Sequence, residues 1–339
     1  MVHLHELIFK QPSGTSRGIL TSKPSWILEH KTATQTVYGE VSIIKTLNPE
    51  WSDHYPDFIR SAYADWKKGQ TKASDYSQFP SLRMGLEMLE LGVQQKSPFT
   101  YFENTFSKSQ TSIPINGLVW MGTKEFMHRQ IVSKIEAGFD CIKLKIGAIN
   151  IEEELDLLEF IRSEFQNDIE LRVDANGAFQ IDTVLPVLDT LAKLQIHSIE
   201  QPIRQGQIEQ MQQLCQQTPI PIALDEELIG VNTYTDKKEL LTAIQPQYII
   251  LKPSLVGGFT SSDEWIKIAE DHNIGWWITS ALESNIGLNA IAQYTAAKNN
   301  PMPQGLGTGQ LYTNNFESPL AIEKGHIVYR DNADWVIKL

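Results

Sequence analysis

Cysteine is scarce. Cys141 and Cys215 are the only two in 339 residues, too few for a disulfide framework and at no zinc-motif spacing. Cys141 alternates with lysines in a short apolar run, which suits a packed small residue better than a nucleophile. Positive charge is also in deficit, with 29 lysines and arginines against 41 aspartates and glutamates and a net charge of −12. That balance argues against nucleic acid or an anionic membrane as a partner. No apolar run approaches ~18 residues, so no span of a membrane is expected. MVHLHELIFKQPSG lacks a basic stretch followed by an apolar core, so no secretory signal is expected and a reducing cytoplasm is the expected address. Composition is otherwise ordinary, 41% hydrophobic and 21% charged without low-complexity tracts. It leaves oligomeric state open.

Against these absences stands CIKLKIG, residues 141–147. Side chains alternate faces along a strand, so Lys143 and Lys145 share one face while Ile142, Leu144 and Ile146 share the other. Two ammonium groups on one face repel, a cost tolerated at a strand end open to water or an anion and not in a packed interior. Taken alone, the run also fits an edge strand whose lysines deter aggregation. The residues downstream favour the first reading. IELRVDAN presents Asp174, HSIEQP Glu200, PIALDEEL Asp225 and YIILKP Lys252, each where a β-branched run gives out. From Lys145 onward these positions fall about 25 to 29 residues apart, the length of a strand, a helix and two short loops. The spacing predicts successive βα units whose charged residues gather on one rim.

Taken in order, HLHELIFK and SWILEHKTATQTVYGEVSII alternate as antiparallel strands, with QPSGTSRGILTSK as the loop between them. Helical patterns follow in HYPDFIRSAYADWKKG and in PSLRMGLEMLELGVQQ, which Pro80 opens. Strands and helices alternate strictly after that. Strands are expected at IPINGLVW, CIKLKIG, IELRVDAN, HSIEQPI, IPIALDE, YIILKPSLV, GWWITSAL and QGLGTG, eight in all, the number that closes a parallel barrel. The expected fold is α/β, with an α+β capping domain over 1–105, a (β/α) barrel over 106–315, and a segment over 316–339 returning to the cap.

In that count Lys145 lies on the second strand and Lys252 on the sixth, on opposite walls, with Asp174, Glu200 and Asp225 on the arc between them. Three crowded carboxylates cannot all stay ionised without a cation, and an all-oxygen set suits Mg²⁺. The chemistry such a site serves is removal of a proton next to a carboxylate, where the product concentrates negative charge on two oxygens. A lysine acts as base only when neutral, a state favoured by neighbouring positive charge and partial burial. Lys145, nearer the rim, is the better placed of the pair.

The ordered set KLK, DAN, EQP, DEE and LKP resembles the muconate-lactonising branch of the enolase superfamily, in which a lysine or histidine base works with Mg²⁺. Within that branch the chain is most similar to the o-succinylbenzoate synthases of menaquinone biosynthesis. The resemblance implies a modified TIM-type barrel with an N-terminal cap, and Asp174, Glu200 and Asp225 as ligands of one Mg²⁺. It implies that Lys145 takes the proton alpha to the carboxylate and returns it to the departing hydroxide, while Lys252 stabilises the enediolate from the opposite face. The implied reaction is syn elimination of water from 2-succinyl-6-hydroxy-2,4-cyclohexadiene-1-carboxylate, a small anionic substrate. A same-fold competitor is an N-acylamino acid racemase or dipeptide epimerase; one of another class is a non-catalytic barrel, against which the retention of both lysines and all three acids weighs.

Two departures from relatives stand out. Many carry EEP where this chain has Glu200, Gln201 and Pro202, which leaves the ligand and alters its surroundings. Dipeptide epimerases commonly show Asp-x-Asp on the eighth strand, where GLGTGQ stands here. Glycine there lets backbone amides approach an anion.

The candidate substrate-binding set is Lys143, Arg17, Asn176, Ser280 and Glu283. Arg17 lies in a stretch, residues 14–18, that fits G-x-S-x-G, but Pro12 precedes it and no helix follows, so a loop is expected. The resemblance implies that this loop closes over the site and brings Arg17 to a substrate carboxylate; otherwise Arg17 is simply solvated. Asn176 shares a face with Asp174 and otherwise starts a turn. Ser280 and Glu283 end the seventh strand, and Glu283 alternatively serves as an acid at a helix N-terminus. Gly257 and Gly258 open a helix that could take an anion or make a tight turn.

Overall fold

The first 42 residues build an antiparallel sheet of order β1-β2-β3, from β1 (Val2–Thr15), β2 (Gly18–Lys31) and β3 (Thr36–Ser42), with residues 25–29 of β2 and 39–42 of β3 buried on both faces. The computed structural model describes residues 1–15, 18–147, 150–165 and 168–339. The expected loop over 11–23 is a correction: β1 and β2 run through it, and Thr15 still pairs with Gly18. Pro12 is accommodated because the register shifts between Ile8 and Ser13, where its missing N–H costs no ladder bond.

Helices α1 (Tyr55–Lys67) and α2 (Pro80–Gly92) each begin with a proline in the first turn, whose absent N–H would have no intrahelical partner anyway. Their apolar faces join Trp26, Leu28 and Val41 of the sheet in the core of the cap. The approach of β3 to α2 is close enough that a Cβ on Gly39 would stand 2.1 Å from the Gly85 carbonyl oxygen.

A short strand β4 (Ile113–Pro114) leads into seven parallel strands, β5 (Gly117–Val119), β6 (Cys141–Lys145), β7 (Glu170–Asp174), β8 (Ser198–Glu200), β9 (Ile222–Leu224), β10 (Tyr248–Leu251) and β11 (Gly275–Ile278), hydrogen-bonded in sequence order. Between them run α3 (Lys124–Glu136), α4 (Ile151–Phe165), α5 (Ile181–Lys193), α6 (Ile208–Gln217), α7 (Tyr234–Ile244), then α8 (Pro253–Val256) and α9 (Gly258–Asp271), with α10 (Asn285–Lys298) after β11. The expected sixth strand is too long by its PSLV end, which turns helical as α8. The eighth strand is the larger correction. QGLGTG forms no strand; Gln304 bridges Ile115 and Gly305 bridges Thr279, so two residues tie together the two edges of the seven-stranded sheet. A Cβ at Gly305 would come 2.4 Å from Thr279 Oγ1, so the closure needs a glycine.

Ile142, Leu144 and Ile146 pack in the main hydrophobic core, as their shared strand face requires. On the opposite face, toward the start of the strands, Arg172 is buried against Trp277, its guanidinium carbon 4.3 Å from the ring, and donates to the Pro303 carbonyl. After the closure, Thr313 N donates to the Ile8 carbonyl of β1. Strand β12 (Leu320–Glu323) then pairs with β13 (His326–Tyr329), and β13 with β4, in a second small sheet, and Trp335 stacks on Phe99 at 4.1 Å.

Candidate active site

Parallel register sets the site. Lys145 pairs with Asp174 across β6 and β7, and Asp174 with Glu200 across β7 and β8. Asp225 and Lys252 each follow directly on β9 and β10. The five charged groups, with Lys143, thereby meet at the C-terminal ends of five neighbouring strands. Lys145 Nζ donates to Asp174 Oδ2 at 2.7 Å and to Asn176 Oδ1 at 2.6 Å. Lys143 Nζ donates to Glu200 at 2.6 Å and stands 3.6 Å from Asp174. Lys252 donates to Asp225 and lies 3.8 Å from Glu200 Oε1.

Burial opposes charge on Lys143, Lys252, Asp174 and Asp225, and the attraction of neighbouring charges outweighs it at the first three. Desolvation works against the Lys143 and Lys252 ammoniums, yet Glu200 with Asp174 in one case, and Asp225 with Glu200 in the other, hold both pKa values above the usual lysine value. Burial likewise opposes the Asp174 carboxylate, but Lys145, Lys143 and Lys252 keep it well below the usual range. At Asp225, burial and the repulsion of Glu226 and Glu200 prevail over Lys252, and its carboxyl is pushed well above that range.

These acids offer hard oxygen donors, the set a Mg²⁺ ion takes. Glu200 Oε1 is buried without a hydrogen-bond partner, with the Lys252 ammonium 3.8 Å away, so the acid cluster is short of a donor at that oxygen. The chemistry of the donor set therefore fits a divalent cation. Among the described residues no three acids, histidines or cysteines already surround a common ion position; the three ammonium groups lie against these oxygens instead.

Lys143, Lys145, Lys252, Asp174 and Asn176 open onto a cavity of about 700 Å³, while Glu200 and Asp225 lie behind the ammonium groups. The cap supplies Ile19, Leu20, Ile44 and Leu47 to its wall, and the barrel supplies Leu118, Trp120 and Leu282. Ser280 and Thr308 line it too, their hydroxyls 2.7 Å apart. Arg17 lies outside the described residues. Glu283 is corrected on both counts: it is fully buried behind the cavity wall, accepting from Ser254 at 2.5 Å and Ser280 at 2.6 Å, and it does not cap the following helix.

The acid at that helix is Glu40, from β3 of the cap. It accepts from Ser284 N at 2.9 Å, Ser284 Oγ at 2.5 Å and Gly287 N at 2.8 Å. At α9 the pattern repeats. Gly257 and Gly258 both adopt positive φ, 100° and 82°, and the amides of Phe259 and Thr260 donate to Glu87 of α2 at 2.6 and 3.3 Å. The anion at this helix N-terminus is the protein's own.

Two further residues join the site, Glu226, which the sequence reading missed, and Gln201, which it named as altering the surroundings of Glu200. Glu226 reaches the cavity and accepts from Asn176 Nδ2 at 3.1 Å; its signal was the second acid of DEE. Gln201, at the departure from EEP, accepts from Asp225 N at 3.2 Å and donates to Glu227 at 3.0 Å, bracing the turn that carries Asp225.

Comparison with known proteins agrees with this architecture. A family model described as enolase C-terminal domain-like matches residues 127–333. An o-succinylbenzoate synthase from Desulfotalea psychrophila is 45% identical, covering 94% of this chain and 96% of its own. The crystal structure of MenC from that organism superposes with a TM-score of 0.82 at 40% identity, covering 97% of this chain and 98% of that one. A hydrophobic dipeptide epimerase from Enterococcus faecalis is 30% identical, over 51% of this chain and 48% of its own.

Proposed function

The chain belongs to the enolase-like family, and from that membership we propose that it dehydrates 2-succinyl-6-hydroxy-2,4-cyclohexadiene-1-carboxylate to o-succinylbenzoate, as a cytoplasmic lyase of menaquinone biosynthesis. The observation that carries this is 45% sequence identity to an o-succinylbenzoate synthase over nearly the full length of both chains, where detectable sequence identity to the epimerase spans only about half of either chain.

Lys145 is the base. It faces the cavity from β6, held by Asp174 and Asn176, and takes the proton alpha to the ring carboxylate once in its neutral form. The electron pair moves into the ring as hydroxide departs from the neighbouring carbon. The ammonium of Lys145 then delivers that same proton to the leaving oxygen, so water is lost from one face and the ring becomes aromatic. Lys252, four strands round the barrel and held charged by Asp225 and Glu200, supplies a fixed positive charge on the other face. Asp174, Glu200 and Asp225 would hold Mg²⁺, which when bound supplies charge stabilisation to the substrate's carboxylate oxygens. The apolar wall from Leu20, Ile44 and Trp120 excludes water around the ring.

Incubation of the purified protein with the cyclohexadiene carboxylate and Mg²⁺ tests this, followed by ultraviolet absorbance of the aromatic product. Turnover is expected. Inversion of N-acylamino acids or dipeptides in D₂O without any dehydration would replace this reading by the racemase or epimerase.

A further inference from the structure

We propose that Glu40 of the capping domain is a positioning residue for the reaction, holding the barrel rim at Ser280, Ser254 and Lys252 in working geometry from outside the cavity. The inference rests on the dehydratase reading above.

Glu40 is fully buried, and its carboxylate is saturated by donors from both domains. On the cap side Ser25 Oγ donates to Oε1 at 2.7 Å. On the barrel side it takes the two amides and one hydroxyl that open α10. A Cβ on Gly287 would come 2.8 Å from Oε2, so the helix meets the carboxylate at contact distance. A buried carboxylate bound by this many donors is rigid, because any displacement leaves amides of the first helical turn unpaired.

The first residue it holds, Ser284, adjoins Glu283. Glu283 spends one oxygen on Ser254, two residues beyond Lys252, and the other on Ser280, whose hydroxyl meets Thr308. The ends of β10, of β11 and of the closing segment are thus joined through one carboxylate, and Glu40 fixes the chain at the residue next to it. Lys23 adds to the same buried layer, donating to Ser42 at 2.6 Å and Ser25 at 3.3 Å. Glu87 docks the cap onto α9 in the same manner, but its partners Phe259, Thr260 and Arg83 do not line the cavity. The molecule therefore contains its own comparison: two cap glutamates at two helix N-termini, one connected to the site and one not.

The test measures kcat and KM on the cyclohexadiene carboxylate for wild type, Glu40→Gln, Ser284→Ala and Glu87→Gln, with affinity for o-succinylbenzoate measured by calorimetry and folded fraction by circular dichroism. Glu40→Gln is expected to raise KM and weaken product binding at least about tenfold in folded protein, since sub-ångström misplacement is enough to do so. Ser284→Ala, which folds more readily, should shift both in the same direction by a smaller factor. Glu87→Gln should keep KM within about twofold of wild type. A purely structural role would lower the active fraction and leave KM and affinity alone. That result, or equal KM for the Glu40 and Glu87 variants, overturns the proposal while wild-type turnover still supports the dehydratase. Wild type that neither turns over nor binds overturns both.

Discussion

Lys143 donates to Glu200 at 2.6 Å with both side chains nearly sealed from solvent, so each is the other's main source of compensating charge. Removing one partner of such a pair leaves a bare buried charge, at a typical cost of about 3–5 kcal/mol. Lys143→Ala is accordingly expected to lose about that much in urea unfolding without divalent ions. Saturating Mg²⁺ should recover part of it, because a cation on Glu200 replaces the missing ammonium. An equal loss with and without Mg²⁺ would count against metal at this acid.

Metal binding should be visible without turnover. Mg²⁺ at a hundredfold excess over its Kd stabilises the folded state by about 2.7 kcal/mol if the unfolded chain has no affinity for it. A thermal midpoint that rises with Mg²⁺ in wild type and not in Asp225→Asn is the expected result. Activity should vanish in EDTA and return on adding Mg²⁺.

The two lysines should be separable by isotope. Lys145→Ala and Lys252→Ala are each expected to lower kcat by at least about a thousandfold with circular dichroism unchanged. Only Lys145→Ala should also abolish wash-in of deuterium at the substrate carbon. Near-normal dehydration by Lys145→Ala would remove it from the role of base.

A stability prediction follows from β3 and α2. Gly39→Ala would drive a methyl to 2.1 Å from the Gly85 carbonyl, and parting the helix from the sheet to admit it should cost about 1–3 kcal/mol. Denaturant midpoints of Gly39→Ala and wild type decide it; equal midpoints refute the packing described.

Glu87 offers a pH test. Burial lifts its carboxyl above the usual value of 4.5, with Arg83 and the amides of Phe259 and Thr260 pulling the other way. Lys237 of α7 and Tyr294 of α10 are the other titratable groups that face it. A raised folded-state pKa means the native protein holds the proton more tightly than the unfolded chain, so this contribution to stability is full below 4.5 and declines as pH rises through the folded value. Glu87→Gln lacks that decline. Its unfolding free energy relative to wild type should rise between pH 4 and 7, and a flat or falling difference would contradict the raised pKa.

The parallel strands were legible because alternation and spacing are local properties. Lys143 and Lys145 announce a strand face within five residues, and the recurring acid-terminated runs announce βα units. The closing strand was misread because two residues suffice there, Gln304 and Gly305, held by neighbours at Ile115 and Thr279 that no local pattern reveals. The strand pairing over residues 11–15 and 18–23 was hidden by Pro12, Gly14 and Gly18, whose loop propensity is overridden by pairing with the opposite strand. Glu40 and Glu87 gave no signal, since their partners lie 244 and 172 positions away. Glu283 was placed at the right turn and given the wrong neighbours, because a strand-end acid can face the cavity, the helix or the wall behind, and only packing chooses.

The two-residue closure at Gln304 and Gly305, with Thr313 bonded to Ile8 just beyond it, has a consequence for biosynthesis. The fasteners of both domains are translated late, so a ribosome must have read past codon 313 before the opening hairpin and the ring of strands have all their neighbours. A message cut short before that point yields polypeptides with raw strand edges at both places, the kind of surface on which nascent chains clump.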